Sequence, residues 1–264
     1  MTRRRLDTEL VRRGLSPSRI EAQMAVRAGL VRVAGSPASK VETLVGDDVP
    51  LDLAPPPRRF VSRGGEKLDA AIDRFGLDPA GRSCLDAGAS TGGFTDRLLQ
   101  GGARHVVAVD VGYGQLAWSL RRDPRVTVLD RTNVRELTVA SLPYRPDLVV
   151  ADLSFISLRS VLPAVSGITA DGAEAVLLVK PQFEADPAQV ARGGVVRDPG
   201  VWATVLVSVI QAARDADLAP HGVMASPVRG RAGNVEFLLC VRRGAAAHEV
   251  DVDAAVAEGR EIAG

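Results

Sequence analysis

A loop of small residues at positions 85–95 constrains the fold of this chain more than any other stretch. An apolar strand pattern at 83–87 leads into the loop, which holds Gly88, Gly92 and Gly93, and a helical pattern follows it. Glycines allow a backbone to approach a ligand closely, and a helix N-terminus offers unpaired N–H groups. A strand, a short loop and a helix in this order are typical of nucleotide-like cofactor sites in open α/β sheets.

The spacing of these glycines does not fit the G-x-G-x-x-G pattern of dinucleotide-binding loops. Asp86, at the end of the strand, favours instead a cofactor with a positive charge near the turn, such as the sulfonium and amino group of S-adenosylmethionine. An ordinary tight strand–helix turn is the alternative interpretation. The predicted cofactor contacts in the loop are Asp86, Gly88, Ala89, Ser90, Thr91, Gly92, Gly93 and Phe94.

From residue 83 onward, strand patterns alternate with helical patterns, for example the helical pattern at 195–216. This rhythm predicts an α/β fold with a parallel, doubly wound, Rossmann-like sheet of about seven strands. The predicted strands are 83–87, 105–110, 126–130, 148–151, 175–179, 222–225 and 235–241.

Acidic residues end the first three of these strands. Because the carboxyl ends of parallel strands line the ligand crevice, Asp110 is placed to bind ribose hydroxyls. Asp130, with Thr132 and Asn133, is placed to meet an adenine. The alternative for any one of these acids is an N-cap of the following helix.

Composition excludes several classes of protein. The chain has 264 residues, of which 46% are hydrophobic and 25% charged, as in ordinary globular proteins. The longest weakly polar run, 201–210, is about half a membrane span, and the basic N-terminus lacks an apolar signal-peptide core. Cys84 and Cys240 lie in apolar runs, which predicts buried free thiols and a cytoplasmic protein. The three histidines are scattered, so we expect no metal site.

Charge is distributed unevenly along the chain. Residues 1–67 hold thirteen Lys and Arg against eight Asp and Glu, a net charge of +5, whereas the remainder carries −4. A basic end on a mildly acidic body indicates a polyanion partner, although it is also compatible with a solvated surface.

The N-terminal pattern gives that basic end a structure. An amphipathic segment at residues 6–14 is followed by Ser16 and Pro17, which predict the cap and first turn of a second helix. Ile20, Met24 and Val26 are predicted to face inward from that helix, and strand-like pieces follow at 30–33, 41–45 and 49–53. This pattern resembles the small RNA-binding module of ribosomal protein S4. The resemblance implies RNA contacts at Arg4, Arg5, Arg12, Arg13, Arg19, Arg27, Arg32 and Lys40.

A run of three prolines, 55–57, marks a boundary, since it cannot continue a helix or a central strand. We therefore expect a small α+β RNA-binding domain at 1–54, a linker at 55–63 and a catalytic domain at 64–264. The basic and aromatic residues at the end of the linker could touch RNA or hold the two domains together.

Four charged residues stand where such a sheet would direct them at the crevice. Lys67 lies on the helix before the first strand, Asp152 and Lys180 follow two apolar strands, and Glu236 lies in a fourth apolar segment. A desolvated lysine amine at a strand end is suited to base chemistry, whereas a lone lysine there more often extends to solvent.

Five motifs, at 61–68, 85–95, 110–116, 151–157 and 180–184, resemble the TlyA family of rRNA ribose methyltransferases. That family has an FtsJ-like catalytic domain behind an S4-like domain. The resemblance implies S-adenosylmethionine as cofactor, with Asp152 and Phe155 beside it, and the 2′-hydroxyl of a cytidine as acceptor. It also implies a catalytic tetrad of Lys67, Asp152, Lys180 and Glu236. Phe60 stands where the family usually has Trp.

The mechanism expected from these residues begins with Lys180. Desolvation and repulsion from Lys67 would keep its amine neutral, so that it could take the proton of the ribose hydroxyl. Asp152 would orient Lys180, and Glu236 would position Lys67 or the ribose. We expect Arg63 and Arg131 to contact the phosphates of the target.

The expected partners are ribosomal RNA and ribosomal subunits, without DNA and without integral membrane association, for a chain that acts as a monomer. The basic N-terminus and the helix-like tail at 250–263 favour the longer form of the family, which modifies both subunits. The alternatives are a non-catalytic RNA-binding protein with a secondary hemolysin-like membrane activity, and a pseudouridine synthase, whose body would be mostly antiparallel sheet.

Overall fold

Two units make up the chain, Met1–Arg58 and Arg59–Gly264. The computed structural model describes residues 3–55, 59–246 and 248–264, so positions 56–58 of the predicted linker lie outside the described residues. Each unit has a hydrophobic core of its own.

The first unit combines two short helices with short strands. The elements are β1 (Arg3–Arg5), α1 (Leu6–Arg12), α2 (Arg19–Arg27), β2 (Val31–Val33), β3 (Ser36–Pro37), β4 (Leu44–Gly46) and β5 (Leu51–Leu53). A two-stranded sheet pairs β1 with β4, and a three-stranded sheet has the order β3-β2-β5. Leu6, Leu10 and Val26 are fully buried between these elements.

Helix α2 differs from its prediction in two ways. It begins at Arg19 rather than at Pro17, because the Ser18 side chain caps it by accepting a hydrogen bond from Glu21 N at 3.2 Å. The predicted inward residues Ile20 and Met24 are 72% and 64% exposed. Only the face with Ala22 and Val26 packs on the core, since a two-helix unit covers one face of each helix.

The second unit alternates strands and helices. Its strands are β6 (Ser83–Ala87), β7 (His105–Val109), β8 (Val126–Leu129), β9 (Leu148–Ala151), β10 (Glu174–Val179), β11 (Leu218–Ala225) and β12 (Phe237–Arg243). Its helices are α3 (Gly64–Phe75), α4 (Gly93–Gln100), α5 (Trp118–Arg121), α6 (Leu162–Ile168), α7 (Pro181–Glu184), α8 (Pro199–Asp215) and α9 (Val252–Ala263). Helix α8 begins four residues after the predicted start, where the Asp198 side chain accepts from Gly200 N.

The seven strands form one sheet in the order β11-β12-β10-β9-β6-β7-β8, which confirms the predicted seven-stranded Rossmann-like sheet. The prediction that the sheet is entirely parallel is wrong in one strand, because β12 runs antiparallel to both β10 and β11. The physical reason is the connection: β11 returns directly into β12 through residues 226–236, with no crossover helix between them.

Alternate residues of the central strands point to opposite faces of the sheet, and both faces are covered. Leu85, Val149 and Leu177 pack in the core that includes side chains of α6 and α8. Cys84 and Val150 pack in the core that includes side chains of α3 and α4. A sheet buried on both faces leaves its strand ends as the place for a site.

Candidate active site

Two of the predicted catalytic residues, Asp152 and Lys180, meet at the carboxyl edge of the parallel strands. Asp152 directly follows β9, and Lys180 directly follows β10. Lys180 Nζ lies 2.6 Å from Asp152 Oδ1 and donates a hydrogen bond of 2.8 Å to Ser154 Oγ. Lys180 is 8% exposed, whereas Asp152 is half-buried and Ser154 is exposed, so the amine is buried but its partners reach solvent.

A second ion pair lies on the neighbouring strand. Lys67 Nζ, from α3, donates a hydrogen bond of 2.5 Å to Glu236 Oε2, and both residues are buried. Glu236 immediately precedes β12, in which Phe237 pairs with Val179 of β10. Extending that antiparallel register by one residue places Glu236 opposite Lys180, so the two ion pairs occupy adjacent strand ends.

This pairing bears on the expected repulsion between the two lysines. The Glu236 carboxylate balances the charge of Lys67 at hydrogen-bond distance, which weakens the repulsion that Lys67 exerts on Lys180. Repulsion from Lys67 is therefore a poor reason for Lys180 to be neutral. Glu236 was expected to position either Lys67 or the ribose, and its carboxylate contacts Lys67.

A cavity of about 450 Å³ opens at the same edge, a size in the ordinary range for small-molecule sites. Seven of the predicted cofactor residues line it: Gly88, Ser90, Asp110, Thr132, Asn133, Asp152 and Phe155. Asp110 is fixed in place, because its carboxylate accepts hydrogen bonds from Ser90 N and Gly112 N, each 2.7 Å long.

Gly88 has a structural reason to be glycine. Its φ is +84°, and a Cβ built on it would lie 2.6 Å from the carbonyl oxygen of Asp152. The loop after β6 is thus pressed against the end of β9. This close approach brings Gly88 and Asp152 to one wall of the cavity.

The other seven predicted cofactor residues do not line the cavity: Asp86, Ala89, Thr91, Gly92, Gly93, Phe94 and Asp130. Gly92 and Gly93 serve packing instead, because a Cβ would lie 2.3 Å from Leu120 on the first and 2.2 Å from Ser62 Oγ on the second. Asp130 is held in an ion pair of 2.7 Å with Arg121.

Asp86 is buried beneath the loop. Its Oδ2 accepts hydrogen bonds from Thr95 N at 2.9 Å and from Thr95 Oγ1 at 2.6 Å, which ties β6 to the start of α4. Burial raises the pKa of the Asp86 carboxyl to about 7, and the nearby carboxylates of Asp152 and Asp110 add to the rise. Its Oδ1 has no hydrogen-bond partner among the described residues.

Two carboxylates line this edge, at Asp110 and Asp152, and the carboxyl group of Asp86 is buried behind them. A nearby cation is favoured by these two carboxylates, so the donor set fits a cofactor with a positive charge. The apolar liners Val134 and Ile156 complete a site with both polar and apolar walls.

Sequence reasoning missed seven residues that line the cavity: Val109, Val111, Gln115, Val134, Leu153, Ser154 and Ile156. Six of them adjoin or lie close to a predicted residue at a strand end, so the strand-end rule applied to whole segments would have found them. Gln115 lies farther along the loop after β7, within the motif at 110–116 that the sequence singled out.

An aromatic pair stands at the mouth of the cavity. Phe155 is 91% exposed and has a φ of +62°, and its ring centroid lies 5.2 Å from that of Phe183. A large apolar side chain presented to solvent in this strained conformation is costly without a ligand. Phe183 was not predicted, although it belongs to one of the motifs singled out in the sequence.

Many of the arginines predicted to bind RNA are engaged by carboxylates within the first unit. The fully buried Asp7 accepts hydrogen bonds from Arg5 and Arg19, and the fully buried Glu9 accepts from Arg12 and Arg13. These arginines carry a structural role because they neutralise buried charges. Arg4 is paired with Asp47.

Arg27, Arg32 and Lys40 are exposed and make no ion pair with another residue in the described ranges. Arg32 makes a local hydrogen bond of 3.1 Å to the backbone oxygen of Gly35. Arg13 contrasts with these residues, because it pairs with Glu9 and also donates to the backbone oxygens of Val49 and Gly46. The structure thus separates the basic set of the first unit into cations that are free for a ligand and cations that hold the unit together.

In the second unit, Arg63 and Arg131 are both exposed. The Arg131 guanidinium stacks over the Tyr113 ring at 4.3 Å from its centroid, and its backbone φ is +55°.

At the start of this unit, Phe60 is buried against Gly65 of α3. A Cβ built on Gly65 would lie 2.2 Å from the Phe60 ring.

Membrane-spanning helices and metal-binding clusters would indicate other functions. No helix within the described ranges is long and apolar enough to cross a membrane. Among the same residues, no group of three or more His, Cys, Asp or Glu side chains is placed to hold a metal ion.

Family models match both units. The model described as FtsJ-like methyltransferase matches residues 60–243, and the S4 domain model matches residues 4–49. A relative from Mycobacterium tuberculosis, named 16S/23S rRNA (cytidine-2'-O)-methyltransferase TlyA, is 54% identical over 241 residues. The alignment covers 91% of this chain and 90% of that relative.

Solved structures agree with these matches. A "putative hemolysin" from Streptococcus thermophilus is 37% identical, covers 99% of this chain and 97% of that chain, and has a TM-score of 0.75. A protein from Listeria monocytogenes described as a "putative S-adenosylmethionine dependent methyltransferase" has a TM-score of 0.52. It is 14% identical and covers 69% of this chain and 99% of that chain, so the likeness concerns the fold alone.

Proposed function

The chain belongs to the FtsJ-like methyltransferase family, and we propose that it transfers a methyl group from S-adenosylmethionine to the 2′-hydroxyl of a cytidine in ribosomal RNA. The observation that carries the proposal is Lys180, held between Asp152 and Ser154 where both of those residues line the cavity. A buried amine at this position can exchange a proton with a hydroxyl group brought to the mouth of the site.

The cavity supports the assignment of the cofactor. S-adenosylmethionine, when bound, supplies an electrophilic methyl group on a sulfonium, and it carries one further positive charge on its amino group. Asp152 and the neighbouring carboxylates provide the negative field that such a cation requires. Asp110 would accept hydrogen bonds from ribose hydroxyls, and Thr132 and Asn133 would lie by the base.

Lys180 is the residue that we assign to accept the proton of the ribose hydroxyl. A hydroxyl group is a weak nucleophile near neutral pH, and it must lose its proton as its oxygen attacks. Lys180 accepts that proton once its own ammonium proton has passed to solvent, and the Asp152 carboxylate, 2.6 Å away, stabilises the ammonium that re-forms. In this proposal, attraction by the Asp152 carboxylate favours proton transfer to Lys180, and repulsion from Lys67 is not required.

Lys67 and Glu236 would position the acceptor. Their buried hydrogen bond fixes both side chains beside Lys180, so that one of them can hold the ribose in line. An in-line arrangement of oxygen, methyl carbon and sulfur supplies much of the remaining acceleration, because the reactants need no further ordering.

Two features support RNA as the acceptor. The exposed Phe155 offers a face on which an unstacked base can lie, the usual way in which proteins recognise single-stranded RNA. The S4 domain match and the free cations of the first unit support contacts to RNA phosphates. Arg63 and Arg131 would add phosphate contacts from the second unit.

The relative from Mycobacterium tuberculosis is named for both 16S and 23S rRNA, and it matches nine-tenths of this chain. We therefore extend the proposal to rRNA of both ribosomal subunits, with the cytoplasm as the compartment in which ribosomes are modified. The name hemolysin does not mark a different architecture, because the structure that carries it covers nearly the whole of this chain.

The test is transfer of labelled methyl from S-adenosylmethionine to unmethylated small and large subunits, with Lys180→Ala alongside. We expect label in the RNA of both subunits with the wild-type protein and none with the variant, which should still bind the cofactor. Label in neither subunit, from a folded protein that binds the cofactor, would contradict the proposed substrate. Undiminished transfer by Lys180→Ala would contradict the assignment of the base.

A further inference from the structure

A short hairpin follows the site residue Lys180 by about ten residues. Ala191 and Val195 form an antiparallel bridge, and the turn between them contains Gly193 and Gly194, with φ values of +94° and +75°. A Cβ built on either glycine would meet no atom within 4 Å, so the tip stands in open space. We name residues 191–197 the arginine hairpin, because Arg192 and Arg197 are both exposed on it.

Asn234 anchors this hairpin. The Asn234 side chain is buried, with 2% exposure, yet both ends of its amide are satisfied by the hairpin backbone. Its Nδ2 donates to Gly194 O at 2.8 Å, and its Oδ1 accepts from Val196 N at 2.9 Å. Val196 is also held by a second side chain, since its carbonyl accepts a hydrogen bond of 3.0 Å from Trp202 Nε1.

The same asparagine belongs to the segment that carries Glu236. Only Val235, itself buried, separates the two residues. The turn before them is closed by a hydrogen bond of 2.9 Å from Gly230 N to Asn234 O. A Cβ on Gly230 would lie 2.6 Å from Glu236 Oε1, so this turn packs directly on the carboxylate that holds Lys67. The arginine hairpin and Glu236 are therefore held by the same segment, residues 230–236.

This surface carries three arginines and one exposed acid, Asp198, which caps α8. Arg192 and Arg197 on the hairpin, and Arg231 on the neighbouring turn, are exposed. None of the three makes a side-chain hydrogen bond or ion pair with any residue of the ranges that the structure describes. Guanidinium groups in this state are suited to bidentate contacts with phosphates, which a nucleic-acid backbone supplies in series.

We propose that Asn234 is a positioning residue that holds the arginine hairpin as an RNA-phosphate contact in fixed register with the Lys67–Glu236 pair. The inference rests on the proposed function, because its ligand is the RNA substrate. Two hydrogen bonds of one buried amide thus fix where Arg192 and Arg197 lie relative to the segment of Glu236.

The first arm of the test removes the phosphate contacts. We expect Arg192→Ala/Arg197→Ala to raise the KM for ribosomal subunits at least tenfold while kcat and cofactor affinity stay unchanged. It should also lower the slope of log KM against log salt by about 1.5, since two phosphate contacts are lost. Arg214→Ala, at an exposed arginine in the last turn of α8, is the matched control and should change neither quantity.

The second arm removes the anchor. Asn234→Ala should raise the KM and also lower kcat, because it frees both the hairpin and the segment of Glu236. In the Arg192→Ala/Arg197→Ala background, it should lower kcat without a further rise in KM. Should Asn234→Ala fail to fold, Gly194→Ala replaces it. That change strains the tip at positive φ, and it should raise the KM alone.

The outcomes separate this inference from the proposed function. Wild-type protein that methylates rRNA, with an Arg192→Ala/Arg197→Ala variant that matches it in KM and salt slope, would overturn the inference and leave the function intact. A further KM increase by Asn234→Ala in the hairpin variant would overturn the role of Asn234. Wild-type protein that transfers no methyl to either subunit would instead overturn the proposed function.

Discussion

Lys67 and Glu236 are separated by 169 positions in the chain, yet they share a hydrogen bond of 2.5 Å out of contact with water. Burial of an ion pair carries a desolvation cost that its Coulomb attraction only partly offsets. A pair of this kind on the strand end next to the Lys180–Asp152 pair is therefore better explained by function than by stability.

This pair can be tested by changing one partner and then both. Removal of Glu236 alone by Glu236→Leu should cost about 3 to 5 kcal/mol of unfolding free energy, because Lys67 is left buried and unpaired. The double change Lys67→Met/Glu236→Leu should recover most of that stability and none of the methyl transfer. Denaturant unfolding and transfer kinetics are the measurements. Recovery of activity in the double variant would mean that the pair is only structural.

Lys180 is tested by two substitutions that differ in charge. Lys180→Ala removes the amine, whereas Lys180→Arg keeps a cation beside Asp152 that cannot accept a proton. We expect both to lower single-turnover transfer by about 10²- to 10⁴-fold, the usual contribution of a general base. Cofactor affinity, measured by calorimetry, should be nearly unchanged. Substantial activity in Lys180→Arg would show that the charge alone matters.

Gly230 offers a smaller perturbation of the same site. Gly230→Ala would place a methyl group 2.6 Å from Glu236 Oε1, and the paired carboxylate must shift to accommodate it. We expect a several-fold loss of kcat with little change in cofactor affinity. Gly167→Ala is the control, because a Cβ in that position of α6 meets nothing within 4 Å and should stabilise the helix slightly. Equal kcat in both variants would contradict the positional role of Glu236.

The pH dependence of stability should carry two opposite contributions. Burial raises the pKa of Asp86 from 3.8 to about 7 in the folded state. The folded state thus prefers the protonated form, and this contribution is complete below pH 4 and is lost as the pH rises through about 7. Asp86→Asn should remove this dependence, which is worth up to about 4 kcal/mol. Thermal unfolding between pH 4 and 8 measures it.

Glu9 acts in the opposite direction. The hydrogen bond from Arg12 lowers the pKa of Glu9 from 4.5 to about 2, although burial opposes the change. The stabilising contribution is present above pH 4.5 and is lost as the pH falls through about 2. Glu9→Gln should flatten the stability of the first unit in that acid range alone. A loss of slope near pH 7 in this variant would contradict the assignment.

The basic residues of the first unit should divide by role. Arg32→Ala and Lys40→Ala should each weaken rRNA binding several-fold and lower the salt slope by about 1, with no change in unfolding temperature. Arg13→Ala should lower the unfolding temperature, because Arg13 holds Glu9 and two backbone carbonyls. Equal melting of Arg13→Ala and Lys40→Ala would contradict this division.

Local patterns in the sequence determined much of the second unit. The apolar run and small-residue loop at 83–95 required a strand, a turn and a helix, because alternation and glycine act over a few residues. The seven strands, the acids at strand ends and the resemblance to the TlyA family followed from the same short segments. The same segments predicted Lys67, Asp152, Lys180 and Glu236 as a catalytic set, of which Asp152 lines the cavity.

Tertiary structure decided the rest, because burial and partners depend on distant residues. Asp86 looked like a cofactor contact, but the packing of the loop buries it against Thr95. Arg5 and Arg19 looked like RNA ligands, but the fold brings the buried Asp7 between them. The direction of β12 was decisive: in a parallel strand, Glu236 would lie at the far edge of the sheet. Its reversal places Glu236 opposite Lys180, which no local pattern could determine.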